Sequence, residues 1–188
     1  MFSVFTFPSL GELIICSEDG STPNLIWPLD AFSAFISRLA CTLTMLSLSS
    51  VTVFDLDLIA DLNLLPSLIN FSIDGLLNPE GGSPITSRFL SSLTLHDSGS
   101  PLLPKLRFLS IKLHGASFDD VAFVRMVSSR WLPDPACAAV IGMDCLRSVV
   151  LHFEERGVDE NTYTPLYDLD RKGMQVVITG NGANGIKT

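Results

Sequence analysis

Charge is scarce in this chain. Charged residues make up 17% of its 188 positions, against about 25% in an average soluble domain. The twelve Lys and Arg are scattered among twenty Asp and Glu, for a net charge of −8, which argues against phosphate-backbone binding, since that needs clustered cations. A long apolar run is also missing. The longest charge-free stretch, Leu39 to Phe54, has 16 residues and carries six Ser or Thr, whereas a spanning helix needs about 20 predominantly apolar residues. The opening Met1-Phe2-Ser3-Val4-Phe5-Thr6-Phe7-Pro8 lacks the basic region of a signal peptide and breaks at Pro8. Cysteine is sparse: Cys16, Cys41, Cys137 and Cys145 lie far apart with no CxxC pair. They are expected to be reduced, mostly buried thiols of an intracellular protein, cytoplasmic or nuclear. In that setting the sequon Asn70-Phe71-Ser72 is a chance match.

What the chain has is apolar surface in a periodic arrangement. Hydrophobic residues reach 47% and mean hydropathy is +0.39, which excludes disorder as the overall state. A chain of this length buries roughly 70% of its unfolded surface in one domain. The spacing L-x-x-L-x-L recurs at Leu10, Leu13, Ile15; Leu43, Leu46, Leu48; Leu68, Phe71, Ile73; Leu106, Leu109, Ile111; and Leu146, Val149, Leu151. A weaker sixth copy is Met174, Val176, Ile178. The first positions of the first five copies are 33, 25, 38 and 40 residues apart, longer and less regular than the roughly 20–29 residues of a leucine-rich repeat.

The last positions of each copy alternate, so they share one side of a strand. The residues between them are mostly polar: Ser47, Ser72, Ser110, Lys112, His152. A sheet covered on both faces shows near-continuous apolar runs instead. One covered and one open face is therefore expected, with Leu46, Leu48, Phe71, Ile73, Leu109, Ile111, Leu151 and Ile178 forming the core.

Helix signals separate the strands. Leu29, Phe32, Phe35, Ile36 and Leu39 recur at helical spacing after Pro28. Asp55 is expected to cap a helix bearing Leu58, Ile59, Leu62 and Leu65, with Asp57 and Asp61 facing solvent. Ser83-Pro84 is expected to open a third helix through Phe89, Leu90 and Leu93. Ser117 to Asp120 reads as a capping-box variant before Val121, Val124 and Val127. Thr164-Pro165 is expected to open a last helix stopped by Gly173. Strand, helix, strand throughout predicts an α/β fold with a parallel sheet and right-handed crossovers. The organisation expected is one domain over residues 1–180 with about six strand units, then a flexible tail over 181–188. Gly75 to Ser83 and Asp97 to Pro104 read as loops, and 132–145 as an irregular insertion.

The segment Leu102 to Trp131, LLPKLRFLSIKLHGASFDDVAFVRMVSSRW, resembles the leucine-rich-repeat region of F-box proteins from mushroom-forming basidiomycete fungi. In that family a leucine strand introduced by LP-x-L leads to a helix ending in an S-R-W-like turn and a further strand such as CLRSVVLHF. FSAFISRLACTLTMLSL is similar to the same family's helix-to-strand junction. The resemblance covers roughly residues 7 to 180. It implies an irregular leucine-rich-repeat solenoid, a single curved parallel sheet with helices on one side, and a role in choosing substrates for ubiquitylation. The family's F-box has no counterpart here, so the likeness extends to the substrate-facing half only, and the native protein is expected to continue N-terminally.

Apparent motifs dissolve on inspection. Gly180 to Gly185 spells GxGxxG after the strand-like MQVVIT, yet only Ile186, Lys187 and Thr188 follow, too few for the helix and second strand of a dinucleotide site. Cys145 and His152 as a catalytic pair lose to a core thiol, and Cys137, Cys145 and His152 lack zinc spacing. Glu154-Glu155 and Asp159-Glu160 read as a solvated rim, or as an acidic edge that steers a basic partner. Trp131 is expected to fill the gap between neighbouring repeats. The reading preferred is a non-enzymatic protein-binding module. Its open face, Ser47, Ser49, Ser72, Asp74, Ser110, Lys112, His114, His152 and Thr179, would contact a protein partner, with no cofactor, metal, nucleic acid, membrane or small-molecule ligand. Two alternatives stay open: a small α/β enzyme with a site at the strand C-terminal ends, and a truncated fragment without function.

Overall fold

The computed structural model describes residues 10–16, 25–26, 29–38, 42–74, 83–96, 101–115 and 117–181. In chain order, the first elements are β1 (Glu12–Cys16), β2 (Leu25–Ile26), α1 (Leu29–Arg38), β3 (Met45–Ser49) and β4 (Val51–Thr52). Next come α2 (Asp55–Asn63), β5 (Asn70–Asp74), α3 (Ser87–Leu93), β6 (Phe108–Leu113) and α4 (Asp120–Ser129). The chain closes with α5 (Pro135–Val140), β7 (Ser148–Phe153), α6 (Glu160–Arg171) and β8 (Gln175–Gly180). Six of the strands make one open parallel sheet in the order β1-β3-β5-β6-β7-β8, and β2 pairs with β4 in a short ladder of its own.

All six L-x-x-L-x-L copies fall on these six strands, in register. Leu13, Leu46, Phe71, Leu109, Val149 and Val176 form one row across the sheet, and Ile15, Leu48, Ile73, Ile111, Leu151 and Ile178 the next. In the four central strands these side chains are buried, while those of β1 and β8, Ile178 included, are partly covered against the same core. The first position of each copy after the first is buried just before its strand: Leu43, Leu68, Leu106, Leu146 and Met174. The opposite face of the sheet is exposed or half-buried except at Ser148. The helices supply Phe32, Leu58, Leu62, Phe89, Leu90, Phe123, Met126 and Tyr163 to the covered side. Burying each such side chain stabilises the fold by roughly 1.5–3 kcal/mol.

The strand starts repeat one hydrogen-bond figure. Two successive amides of a strand start converge on one carbonyl of the strand before it: Thr44 and Met45 on Gly11, Ile69 and Asn70 on Thr44, Arg107 and Phe108 on Ile69, Arg147 and Ser148 on Arg107. The helix N-termini are tied sideways in the same serial manner. Thr86 donates to Asp55 at 2.7 Å, and Ser87 to Asp119 at 2.7 Å.

Helix starts depart from the sequence expectations: near the starts of α3, α4 and α6 several residues have capping side chains and only one meets the geometry, while α2 has no side-chain cap. Phe54, not Asp55, occupies the N-cap of α2; Asp55 sits inside the first turn. Asp61 does not face solvent but is buried, accepting from Ser33 at 3.0 Å. Thr86 caps α3, three residues past Ser83, whose hydroxyl accepts from Ile85 N–H in a local turn. Asp119 caps α4 through Ala122 N–H, and Val121 on that helix is exposed. Asp159 caps α6 through Asn161 N–H, so Pro165 lies within the helix rather than at its start. The end of α6 does match: Gly173 has φ +106°, its amide donates to Asp170 and that of Met174 to Leu169. This is the paired pattern of a Schellman cap. The 132–145 insertion contains α5, capped by Asp134.

The arginine of the S-R-W turn has an unexpected place. Arg130 is fully buried, and its guanidinium donates to three backbone carbonyls: Leu93 at 2.5 Å, Leu103 at 3.0 Å, and Leu102. Its own carbonyl accepts from Leu146. Arg130 thus joins α3, the 102–103 turn, α4 and the start of β7 in one knot. Trp131 beside it is partly buried against the core. Burial pushes the Arg130 pKa down to about 10, so it stays cationic at neutral pH.

Candidate protein-binding face

Successive strand residues point to opposite sides, so the alternation that buries Leu46 and Leu48 turns Ser47 and Ser49 outward. Strand pairing without offset arranges the outward residues in three rows. The first row is Glu12, Met45, Asn70, Phe108, Ser148 and Gln175. The second is Ile14, Ser47, Ser72, Ser110, Val150 and Val177. The third is Cys16, Ser49, Asp74, Lys112, His152 and Thr179. Eight of the nine residues singled out from the sequence fall in the second and third rows, and His114 lies just beyond β6.

The third row is a connected polar network. Lys112 lies 3.7 Å from Asp74 and 3.2 Å from Glu154. His152 is 3.4 Å from Glu154 through Nε2 and is hydrogen-bonded to Thr179 at 2.7 Å through Nδ1. His114 faces Glu155 at 3.4 Å. The hydrogen bond from Lys112 holds the Glu154 carboxyl below the usual range. These residues balance one another across four strands and leave a polar edge at the strand C-termini.

The second row is different. Its three serines floor a shallow groove of about 250 Å³, walled by Ile14, Met45 and Phe108. Ile14 is 63% exposed, Phe108 45% and Val177 38%. The sequence reading named only the polar members of this face and passed over Ile14, Met45, Phe108, Val150 and Val177. The signal was present: each occupies an outward position of the same two-residue alternation.

The other candidates separate. Cys145 is buried, its sulfur accepting from Leu132 N–H, and it precedes the β7 strand whose far end carries His152 on the open face. The fold does not bring the pair together. Contrary to the expectation of mostly buried thiols, Cys16 and Cys137 are exposed. Cys16 ends an outward row, and Cys137 lies on α5, where a hydrogen bond to Asp134 raises its pKa. Cys41 and most of the GxGxxG stretch lie outside the described residues. Among the described residues, no three His, Cys, Asp or Glu are grouped as metal ligands, and no helix is long and apolar enough to cross a membrane.

The strand C-terminal end, where an α/β enzyme would hold its site, carries Asp120, Arg156 and Tyr163. The Asp120 carboxylate accepts from both Arg156 and the Tyr163 hydroxyl. Arg156 stacks on Phe153, 3.9 Å from the ring centroid. Gly115, at φ +98°, makes room for this stack, since a Cβ there would lie 2.7 Å from Phe153. Burial, with help from Asp120, raises the Tyr163 phenol far above its ordinary pKa. The group bolts α4 to α6 through the Asp120 carboxylate, while Arg156 Nε is buried without a hydrogen-bond partner among the described residues.

Fold and face together define an α/β protein with one open parallel sheet, covered on one side. No protein-family model matches the chain, and no curated protein or solved structure matches it.

Proposed function

We propose that the chain is a non-catalytic protein-binding module of leucine-rich-repeat type, and that the open sheet face holds the partner. The observation that carries this reading is the second row, a strip six strands wide with small side chains in its centre and exposed aliphatics at its flanks. Partner surfaces combine apolar patches with a polar rim; here the apolar part is the groove wall of Ile14, Met45 and Phe108, and the rim is the Asp74–Lys112–Glu154–His152–Thr179 network. Stacked repeats offer extended surfaces that suit macromolecules. The repeating carbonyl figure at the strand starts and the chain-order sheet support the repeat reading. The likeness of residues 102–131 to fungal F-box proteins suggests that the partner is a substrate presented for ubiquitylation, a step that rests on analogy.

A photo-crosslinking amino acid at Ser72 or Ser110 tests the module. It should capture a partner in the source cells, whereas the same group at exposed Val121 on the helix side should not, and Ser110→Trp should abolish capture. Equal crosslinking from both sides would remove the open face from consideration. Partners whose turnover is unaffected when the protein is deleted would break the ubiquitylation limb alone.

A further inference from the structure

We propose that the cleft at the strand N-terminal edge, between α5 and the starts of β6 and β7, is a binding site for an oxyanion group, a phosphoryl group or clustered carboxylates. The cleft measures about 490 Å³, within the roughly 300–1,000 Å³ of ligand pockets. Lys105, Arg107 and Arg147 line it, with Asp144 as the one acidic residue. Three cations against one carboxylate leave a surplus of two positive charges, in a protein whose net charge is −8.

The placement of these charges is costly to the fold. Arg107 and Arg147 sit at matching positions immediately before β6 and β7, joined by the Arg147 N–H to Arg107 carbonyl bond of 2.8 Å. Like charges directly across neighbouring strands destabilise a sheet. Asp144 relieves only part of this: its two oxygens lie 2.7 Å from Arg107 Nε and 3.5 Å from Lys105 Nζ. The Arg147 side chain has no partner among the described residues and is exposed. Asp134, just before α5, caps its own helix through Ala136 N–H at 2.8 Å and does not line the cleft. A bound oxyanion would satisfy Arg147 and screen it from Arg107, and a guanidinium binds phosphate or carboxylate by paired, charge-assisted hydrogen bonds. Leu132, Ala138 and Met143 give the floor an apolar part, so a group carried on a short carbon skeleton or a peptide fits better than a bare ion.

The site is distinct from the open sheet face, and its test leaves that face untouched. The full chain, labelled with ¹⁵N, is titrated with sodium phosphate, with citrate and with a hexaglutamate peptide, each against sodium chloride at equal ionic strength. Saturable amide shifts should centre on residues 105–107 and 142–147 and be absent with chloride. Arg147→Ala should weaken binding by about tenfold, the loss of one charge-assisted contact, with the melting temperature of the anion-free protein not lowered, since the repulsion with Arg107 is relieved. Arg147→Lys should recover part of the affinity. Tighter binding of hexaglutamate than citrate assigns the group to an acidic chain, and the reverse order assigns it to a free small anion. Shifts that never saturate, that chloride reproduces, or that survive Arg147→Ala would overturn the proposal.

Discussion

The two sides of the sheet are made from alternate residues of the same six strands and obey different rules. On the covered side, Phe71, Leu109, Ile111 and Leu151 meet helix residues in a continuous core, and Arg130 donates to three carbonyls, of which Leu103 also accepts from the Leu106 amide. On the open side, Ser72 and Ser110 line a shallow surface groove, and the ion pairs of Lys112 are about two-fifths exposed at the lysine. The contrast teaches that side-chain type is a poor guide to consequence here. A buried arginine on the covered side is expected to matter to the fold as much as a core leucine, and the exposed lysine on the open side little.

Substitutions break or sharpen that contrast. Arg130→Ala removes the arginine donor from the carbonyls of Leu93, Leu102 and Leu103, of which Leu103 keeps the Leu106 amide; it should cost about 3–5 kcal/mol, read as a lower urea midpoint at unchanged slope. Arg130→Lys should recover little, because an ammonium cannot reproduce the planar fork. Leu109→Ala should cost about 2–5 kcal/mol in the same assay. Asp119→Ala should cost about 0.5–2 kcal/mol through loss of the α4 cap. Ser72→Ala on the open face should stay within about 0.5 kcal/mol. A Ser72→Ala effect as large as that of Leu109→Ala would erase the distinction between the sides.

Asp119 also carries a pH signature. The Ala122 amide, and then the Ser87 hydroxyl, hold its carboxyl below the ordinary 3.8. Its contribution is therefore full above the unfolded value and is lost as pH falls through the lower folded value. Asp119→Asn keeps a good cap, so it should flatten this part of the acid limb in a denaturation series without lowering stability at pH 7.

The strands were legible because period-two alternation over a half-covered sheet leaves a direct trace in sequence, and each copy of the spacing is a strand. Helix starts were less so. Ser83, Thr86, Ser117, Asp119, Asp159 and Thr164 all have capping side chains, and the choice among them is made by tertiary geometry. Asp61 and Arg130 were read as surface or passed over, since a lone charge in sequence does not reveal a partner such as Ser33 or a distant carbonyl. The cationic cleft was hidden for a related reason: Lys105, Arg107 and Arg147 look dispersed along the chain and are gathered only by the register of β6 on β7. The aliphatics of the open face were legible and missed, because attention went to the polar residues between them.

The order of the strands bears on how the chain acquires its shape. Each strand hydrogen-bonds only to the strands before and after it in the sheet, and partners such as Leu46 with Phe71 or Val149 with Val176 are close in sequence. No pairing waits for the two ends of the molecule to meet. On the repeat reading proposed above, folding is expected to start in one unit and spread to its neighbours. Phe118, Phe123, Phe153 and Tyr163 form a chain of ring contacts in the segment β6-α4-β7-α6, which is the start we propose. On the same reading, a force applied across the sheet would meet that order in reverse, peeling units from the edge strands toward the aromatic centre.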